Sequence, residues 1–241
     1  MKICLIHGSL RKGSTYHVAH KIIEKLNLGI DIHIDEYFLP KDLPNFCSSC
    51  FQCIEHGEQH CPHQTFVNTI EQSLIESDLI VLTSPVYVFD VSGQMKSLLD
   101  HFAYRWLSHR PHPSMFNKVG LTVVTAAGAG LKSTTSTLHT NLFWWGISHI
   151  YHMKQAVMTS DFHSISPKIL QKIEVKTAKI AQKISRKLRS ENRTPSLKLW
   201  MYFQIMKKMR MNHPEWNPID YDFWKRVGYL EKYPVWKKKN V

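Results

Sequence analysis

The 241-residue sequence predicts an α/β protein with a doubly wound, five-stranded parallel sheet, followed by a basic, aromatic-rich C-terminal extension. Two observations predict the sheet. Apolar runs without polar alternation, such as residues 3–6 and 79–82, are typical of strands buried on both faces. The segments between such runs carry apolar residues at helical spacing, and this alternation indicates parallel strands covered by helices on both sides.

The predicted elements follow in order along the chain. Strands are predicted at residues 3–6, 30–38, 78–83 and 119–125, with a fifth inside 147–159. Helices are predicted after the first strand and at residues 65–77, 92–106, 132–145 and 166–189. Ser92 is a suitable N-cap, and Pro167 stands where proline is favoured in a first turn. Residues 197–211 are a further helix candidate, whereas the proline- and aromatic-rich residues 212–241 predict irregular structure.

Charge is distributed unevenly along the chain. The whole sequence has 31 Lys and Arg against 19 Asp and Glu, and from residue 164 onward the count is 19 against 6. A basic block of this kind binds acidic proteins, nucleic acid or anionic lipid, or forms a solvated surface. We predict a domain at residues 1–190, with a cysteine-rich insert at 41–64, and an extension at 191–241.

The length of the apolar runs gives an expectation about the cellular location. No stretch approaches the roughly 20 apolar residues that a membrane span needs, and the apolar run at the start is too short for a signal peptide. We therefore expect a cytoplasmic protein.

The loop after the first strand combines glycine, serine, threonine and arginine directly before a helix. Backbone N–H groups and hydroxyls converge at such a helix start, and the helix dipole adds positive potential there. Ser9, Ser14 and Thr15 supply hydroxyls, and Arg11 offers a fork of donors to a phosphate. The loop therefore predicts a ligand that carries a phosphate. It lacks both the lysine of nucleotide-binding P-loops and the G-x-G-x-x-G fingerprint.

With Gly8, Ser9, Arg11 and Ser14, this loop resembles the G-S-x-R-x-x-S phosphate loop of NAD(P)H-dependent FMN reductases, which are flavodoxin-like proteins. The resemblance implies the flavodoxin-like strand order, with the ligand at the carboxyl edge of the sheet near the point where the order reverses. It also implies that the loop holds the FMN phosphate.

Two further loops extend the resemblance. The segment Ser84, Pro85, Val86, Tyr87 is similar to the S-P-x-Y segment that borders the isoalloxazine ring in this family, and Phe89 lies just beyond it. The helix that follows carries Gly93, Lys96 and Asp100 and so is similar to the family's G-x-x-K-x-x-x-D stretch. The loop Thr125, Ala126, Ala127, Gly128 resembles the small-residue loop that lets the backbone approach the pyrimidine end of the ring.

These loops together imply an FMN-dependent oxidoreductase that takes electrons from NAD(P)H and passes them to a small-molecule or redox-protein acceptor. We expect no catalytic side chain, because the flavin carries the chemistry, and we expect His7 to tune local hydrogen bonds. Two alternatives are an electron carrier without NAD(P)H turnover and a binding protein that uses its basic C-terminal third on nucleic acid or a membrane surface. The resemblance also implies a homodimer or higher homo-oligomer, with residues 197–211 as the candidate interface.

Four of the five cysteines, Cys47, Cys50, Cys53 and Cys61, have the spacing C-x2-C-x2-C-x7-C. Three thiolates at this spacing can surround one centre and the fourth can complete the site, as in compact ligation of a [4Fe–4S] cluster. The pattern resembles that of iron–sulfur flavoproteins, a branch of the same group in which the cluster exchanges electrons with FMN.

Other uses of these cysteines remain open. Zinc accepts four thiolates, or a mixed set with His56, His60 or His63. The thiols could also be free or redox-active, whereas disulfides do not suit a reducing cytoplasm. Residues 62–64 read Pro-His-Gln, where the resembling proteins often carry an acidic pair.

Overall fold

The computed structural model describes residues 1–190 and 193–231. Within these ranges, five parallel strands form one sheet in the order β2-β1-β3-β4-β5. The strands are β1 (Lys2–His7), β2 (His33–Phe38), β3 (Leu79–Pro85), β4 (Val119–Ala126) and β5 (His149–Ala156). This is the predicted flavodoxin-like, doubly wound order, so the predicted fold class is confirmed.

The helices among the described residues connect and extend the sheet. They are α1 (Ser14–Glu24), α2 (Gln52–Glu55), α3 (Gln64–Glu76), α4 (Gly93–His101), α5 (Leu131–Trp144), α6 (Pro167–Arg189), α7 (Leu197–Asn212) and α8 (Pro218–Arg226). As predicted, Ser92 caps α4, and its hydroxyl accepts a hydrogen bond from the Met95 N–H at 3.3 Å. Helix α4 ends before residue 106 because the chain turns into a short 3-10 segment at Ala103–Arg105.

Two apolar layers cover the sheet. In β1, Cys4 and Ile6 face the layer that contains α3, α4 and α5, whereas Ile3 and Leu5 face the layer formed with α1 and α6. All four side chains are fully buried. Burial on both faces explains why the strands appear in the sequence as unbroken apolar runs.

The C-terminal extension builds a third apolar cluster beside these layers. Phe203 of α7 stacks on Trp224 of α8 at 5.1 Å between ring centroids, and its ring edge meets Phe116 of the main body at 5.7 Å. The outward face of α7 leaves Trp200 and Ile205 partly exposed. Part of the candidate interface at 197–211 therefore packs on its own domain.

The prediction of irregular structure at 212–241 is wrong for residues 218–226, which form α8. The side-chain oxygen of Asn217 accepts a hydrogen bond from the Asp220 N–H at 3.0 Å, and Pro218 occupies the first turn. These local signals start a helix, and Phe223 and Trp224 bury one side of it. Residues 232–241 of that prediction, with 191 and 192, lie outside the described residues. Of the described helices, none is both long and apolar enough to cross a bilayer.

Candidate functional site

The loops that follow β1, β3 and β4 meet at the carboxyl edge of the sheet and enclose a cleft of about 200 Å³. Strands β1 and β3 are neighbours in the sheet although β2 separates them in sequence, so the cleft lies at the point where the strand order reverses. Ten of the thirteen predicted flavin-binding residues line it: Ser9, Arg11, Ser14, Thr15, Pro85, Val86, Tyr87, Thr125, Ala126 and Ala127.

The first loop presents a helix N-terminus to the cleft. Gly13 occupies the N-cap position of α1 without a side chain to bond the first N–H groups, and the first turn contains no acidic residue. The hydroxyls of Ser14 and Thr15 lie in that turn, and the Ser9 hydroxyl accepts a hydrogen bond from the Arg11 N–H at 3.1 Å. Unsatisfied N–H groups, hydroxyls and a guanidinium form a binding site for an anion.

The first loop is fixed against the start of α4. The Ser92 hydroxyl donates a hydrogen bond to the Gly8 carbonyl at 2.6 Å. A Cβ atom at Gly8 would lie 2.8 Å from the Ser92 oxygen and 3.0 Å from the Thr83 carbonyl oxygen, so only glycine permits this approach. The glycine thus serves the contact between two loops as well as the turn.

The second and third loops are held together in a similar way. The Val86 N–H donates to the Thr125 carbonyl at 2.9 Å. Gly130 has a φ of +86°, and a Cβ atom there would lie 2.5 Å from a methyl group of Val86. Val88 and Phe89 have left-handed backbone in the tight turn beyond Tyr87, where strain is common at binding sites.

Three predicted residues lie outside the cleft wall. The Ser84 side chain is buried behind it, where its hydroxyl donates to the Pro85 carbonyl and accepts from the Ser92 N–H at 3.0 Å. Phe89 and Gly128 are exposed. Conversely, the sequence analysis did not include four lining residues, Gly13, Val157, Thr159 and Ser160. The last three follow β5, and the hydroxyl pair at the end of a fifth parallel strand is the signal that would have found them.

His7 lies behind the phosphate loop in a hydrogen-bonded group. Its Nε2 donates to Glu36 Oε1 at 2.8 Å, and His20 Nε2 donates to the same oxygen at 2.7 Å. The Thr83 hydroxyl then donates to His7 Nδ1 at 3.0 Å. Burial lowers the pKa of His7, so the ring stays neutral at neutral pH. Because both Nε2 atoms donate, the group is a hydrogen-bond network and not a set of free metal ligands.

The cysteine loop, residues 47–61, has a strained backbone. Ser49 and Phe51 stand between consecutive cysteines with φ values of 54° and 57°. A bulky residue in the left-handed region costs about 1 kcal/mol or more and is retained where a site requires it. These left-handed residues thus alternate with the first three cysteines.

The four thiols lie near one another at the edge of the core. Cys53 and Cys61 pack against the apolar layer, whereas Cys50 is exposed, and all four are free of disulfide bonds. Burial raises the pKa of Cys53 to about 11, and the neighbouring thiols Cys61, Cys47 and Cys50 add to the shift. Burial also raises the pKa of Cys61. These shifts oppose a reactive thiolate at neutral pH in the absence of a metal ion.

The candidate ligand atoms of the cysteine loop and of the neighbouring histidines differ in how closely they are spaced. In residues 1–190 and 193–231, no three of these sulfurs fall within a 4.8 Å group, whereas Cys61, His63 and His101 do. One zinc ion with Zn–S bonds of about 2.3 Å requires its sulfurs closer than this. The His63 and His101 nitrogens are 2.9 Å apart, and His101 Nδ1 donates to the Ser97 carbonyl, so His101 Nε2 accepts from His63. Both histidines of this group are therefore engaged in hydrogen bonds.

Helix α4 joins the two sites. Its N-cap contacts the first loop, its Ser97 hydroxyl donates to the Asn45 carbonyl at 3.1 Å, and its last residue meets His63. Helix α4 therefore contacts both the first loop and the segments on either side of the four cysteines.

Comparisons with known proteins agree with this geometry. The family model described as NADPH-dependent FMN reductase matches residues 1–164. An iron–sulfur flavoprotein of Archaeoglobus fulgidus is 27% identical over 234 residues, which cover 95% of this chain and 100% of that protein. An iron–sulfur flavoprotein of Methanocaldococcus jannaschii is 34% identical over 145 residues, or 58% of this chain and 70% of that protein.

Solved structures agree in fold. The apo form of an NADH:FMN oxidoreductase aligns with a TM-score of 0.53 at 16% identity, over 81% of this chain and 94% of that one. An azoreductase from Bacillus anthracis aligns with a TM-score of 0.59 at 10% identity, over 76% and 99%. The chain therefore belongs to the NADPH-dependent FMN reductase family, alongside the iron–sulfur flavoproteins, and is an FMN-dependent oxidoreductase.

Proposed function

We propose that FMN binds in the carboxyl-edge cleft, with Ser9, Arg11, Ser14 and Thr15 as its phosphate ligands. The observation that carries this proposal is the uncapped N-terminus of α1, which faces a cleft at the strand-order reversal. The hydroxyl residues Ser9, Ser14 and Thr15 line that cleft, and the first turn of α1 contains no acidic residue. Two sets of residues border the ring: Pro85, Val86 and Tyr87, and Thr125, Ala126 and Ala127. Ser84 supports them from behind, and Phe89 and Gly128 are proposed as outer contacts.

FMN held by these residues would supply the redox chemistry, as acceptor of a hydride from NAD(P)H and donor of electrons to an acceptor. The chain's own residues bind and orient the cofactor. The described cleft wall contains no Asp, Glu, His or Cys side chain, which agrees with a site that needs no protein acid or base. Hydroxyls and backbone groups of Thr125, Thr159 and Ser160 are suited to hydrogen bonds with a polar ring edge.

We also propose that Cys47, Cys50, Cys53 and Cys61 hold a [4Fe–4S] cluster. The C-x2-C-x2-C-x7-C spacing, the free thiols, the left-handed backbone at Ser49 and Phe51 and the iron–sulfur relatives support this assignment. A cluster there supplies one-electron transfer. Helix α4 contacts both the first loop of the cleft and the segments that flank the cysteines.

Assembly and partners complete the proposal. We propose a homodimer or higher homo-oligomer that uses the exposed side chains Leu197, Trp200, Met201 and Ile205 of α7, and a small-molecule or redox-protein acceptor. These four residues present an apolar surface on a basic segment, and a second copy would cover it. The double substitution Trp200→Glu and Ile205→Glu introduces two charges into this apolar surface and is expected to lower the mass in light scattering if the surface is the interface; an unchanged mass would exclude it.

The deciding experiment is the visible spectrum of protein purified without air, with FMN, iron and zinc measured on the same sample. Flavin bands, a broad iron–sulfur shoulder and about four irons per chain are expected. Flavin bands without iron would support the flavin site and contradict the cluster assignment. A colourless protein that does not bind added FMN would contradict the flavin site. Oxidation of NADH or NADPH by the same sample separates an enzyme from a simple electron carrier.

A further inference from the structure

Arg110 is a buried cation between the cysteine loop and the C-terminal extension. Its side chain is 2% exposed, although it lies outside the cleft and belongs to none of the recognised motifs. A guanidinium this deeply buried must have several hydrogen-bond acceptors, because an unpaired buried charge is costly. Its acceptors come from two regions far apart in the sequence.

The first set of acceptors is the cysteine loop itself. Arg110 Nη2 donates to the carbonyl of Cys53, and Nη1 lies 3.4 Å from the carbonyl of Ile54. Nε donates to Glu58 Oε2 at 3.1 Å. One planar side chain therefore holds three successive points of the chain between Cys53 and Cys61. The rigid fork of arginine suits this task, and a lysine could not reproduce it.

The second set comes from the C-terminal extension. Arg110 Nη1 also donates to Asp220 Oδ1, and the carboxylate of Asp220 is fully buried. The other oxygen of Asp220 accepts from His109 at 2.8 Å and from Arg210 at 3.1 Å. The extension thus fixes the same guanidinium that holds the cysteine loop.

The extension also reaches the cysteine loop directly. Asn217 Nδ2 donates to the Ile54 carbonyl at 3.1 Å, while its side-chain oxygen caps α8. Behind the loop, Arg105 bonds Glu58 at 3.1 Å and the buried Glu71, and donates to the Arg110 carbonyl. Glu58 is therefore held by two arginines, and the segment from Cys53 to Glu58 is fixed at four atoms.

We propose that Arg110 is a positioning residue for the metal site, and that the C-terminal extension holds it in place through Asp220 and Asn217. Arg110 fixes the backbone between Cys53 and Cys61 and places a buried positive charge beside the cysteines. Such a charge favours the more negative, reduced state of a cluster. The inference rests on the proposed cluster, and it gives the extension a function in addition to packing.

The test compares four single substitutions in full-length protein purified without air. Arg110→Gln removes the charge and the fork, Arg110→Lys keeps the charge, and Asn217→Asp keeps the α8 cap but loses the donor to Ile54. Lys225→Gln is the matched control, because Lys225 is an exposed cation on the same helix as Asp220. Three quantities are measured: iron release to a ferrous chelator, the reduction potential of the cluster, and alkylation of Cys53 followed by mass spectrometry. FMN content is measured alongside.

We expect Arg110→Gln to release iron about ten-fold faster or more and to lower the reduction potential. Arg110→Lys should keep a potential near that of the wild type but release iron faster, and Asn217→Asp should show a smaller increase in the release rate. Lys225→Gln should match the wild type, and FMN content should stay constant throughout. Equal release rates and potentials in wild type and Arg110→Gln would overturn the proposal.

The experiment also decides the proposal if the wild-type protein holds no iron or if Arg110→Gln does not fold. If the wild-type protein holds no iron, the cluster assignment fails, and Cys53 alkylation decides the positioning role: faster alkylation in Arg110→Gln supports it, and equal rates overturn it. If Arg110→Gln does not fold, Arg110→Lys and Asn217→Asp carry the comparison, and wild-type behaviour of both would overturn the proposal.

Discussion

The flavin cleft and the cysteine loop are built by different physical means. The cleft is formed by the ends of neighbouring parallel strands, joined by backbone hydrogen bonds and by close contacts at Gly8 and Gly130. The cysteine loop is fixed by buried charges, of which Arg110 and Asp220 are 110 residues apart. The cleft therefore follows from the sheet, whereas the cysteine loop depends on distant parts of the chain.

This difference separates the effects of substitution. Changes to exposed side chains of the cleft, such as Arg11, should affect FMN affinity at modest cost in stability, because the sheet holds the loops. One ionic group comprises the buried or half-buried charged side chains Arg105, Arg110, Arg210, Glu58, Glu71 and Asp220. Changes in this group should affect stability and iron retention together, because they leave a charge unpaired in the interior.

The largest effect should come from Asp220→Asn. The substitution keeps the side-chain shape but leaves Arg110 and Arg210 without their buried carboxylate. We expect the free energy of unfolding to fall by about 3–5 kcal/mol in urea titrations. Asp222→Asn, exposed on the same helix, is the control and should change stability little. A loss no larger than that of the control would mean that apolar packing alone holds the extension, and the comparison would fail.

Gly130→Ala should have the next largest effect. A methyl group there would lie 2.5 Å from a Val86 methyl, and the φ of +86° disfavours any side chain. We expect a loss of about 2–3 kcal/mol in unfolding free energy, together with weaker FMN binding. At Gly128 a methyl group would meet open space, so Gly128→Ala should be tolerated. Equal behaviour of the two variants in FMN titrations would show that contact between the second and third loops does not shape the cleft.

Arg11→Gln should affect binding without affecting stability. Loss of a charge-assisted phosphate contact should weaken FMN binding by about 1.5–3 kcal/mol, or roughly 10- to 150-fold. Lys12→Gln removes a charge from the same loop, but the Lys12 ammonium lies 5.3 Å from the centre of the Tyr16 ring. Fluorescence titration of apoprotein with FMN should therefore separate the two variants. Matching affinities would mean that Arg11 supplies only long-range charge.

The smallest effect should be a pH dependence of the unfolding free energy that arises from His112, a neighbour of Arg105. Burial, with a contribution from the Arg105 charge, lowers the pKa of His112 to about 4. In the folded protein His112 is then neutral below its ordinary pKa of about 6.5, where the unfolded chain binds a proton. Stability should therefore fall as the pH drops from 6.5 to 4, by about 1 kcal/mol after allowance for partial exposure.

His112→Asn should flatten this part of the stability profile. Asparagine can still accept the hydrogen bond that the Ser114 N–H donates to His112 Nδ1, so the local turn is kept. Unfolding midpoints measured between pH 4 and 7 provide the test. Parallel profiles for the variant and the wild type would exclude His112 as the titrating group.

Much of the cleft could be predicted because its parts are local. Unbroken apolar runs locate the strands, and residues directly after a strand must lie at one edge of a parallel sheet. The position of Arg11 and Ser14 at this edge could therefore be predicted from the sequence, and both line the cleft. The direction in which each side chain points was harder to predict from the sequence. Ser84 and Pro85 are neighbours, but only Pro85 lines the cleft. A strand alternates its faces, and its last residues follow the packing of the next loop.

By itself, the sequence determined where the strands lie, the glycine- and serine-rich loop after β1 and the cysteine spacing, because each is encoded by residues close together in the chain. The strand order was implied by the family resemblance and confirmed by the structure. The tertiary structure alone decided that the residues after β5 join the cleft, that Gly130 contacts Val86, and that Arg110 joins the cysteine loop to Asp220. Asn217 and Ile54 are 163 residues apart. Contacts of this range have no local signature, since they arise only when separate layers pack and buried charges must find partners.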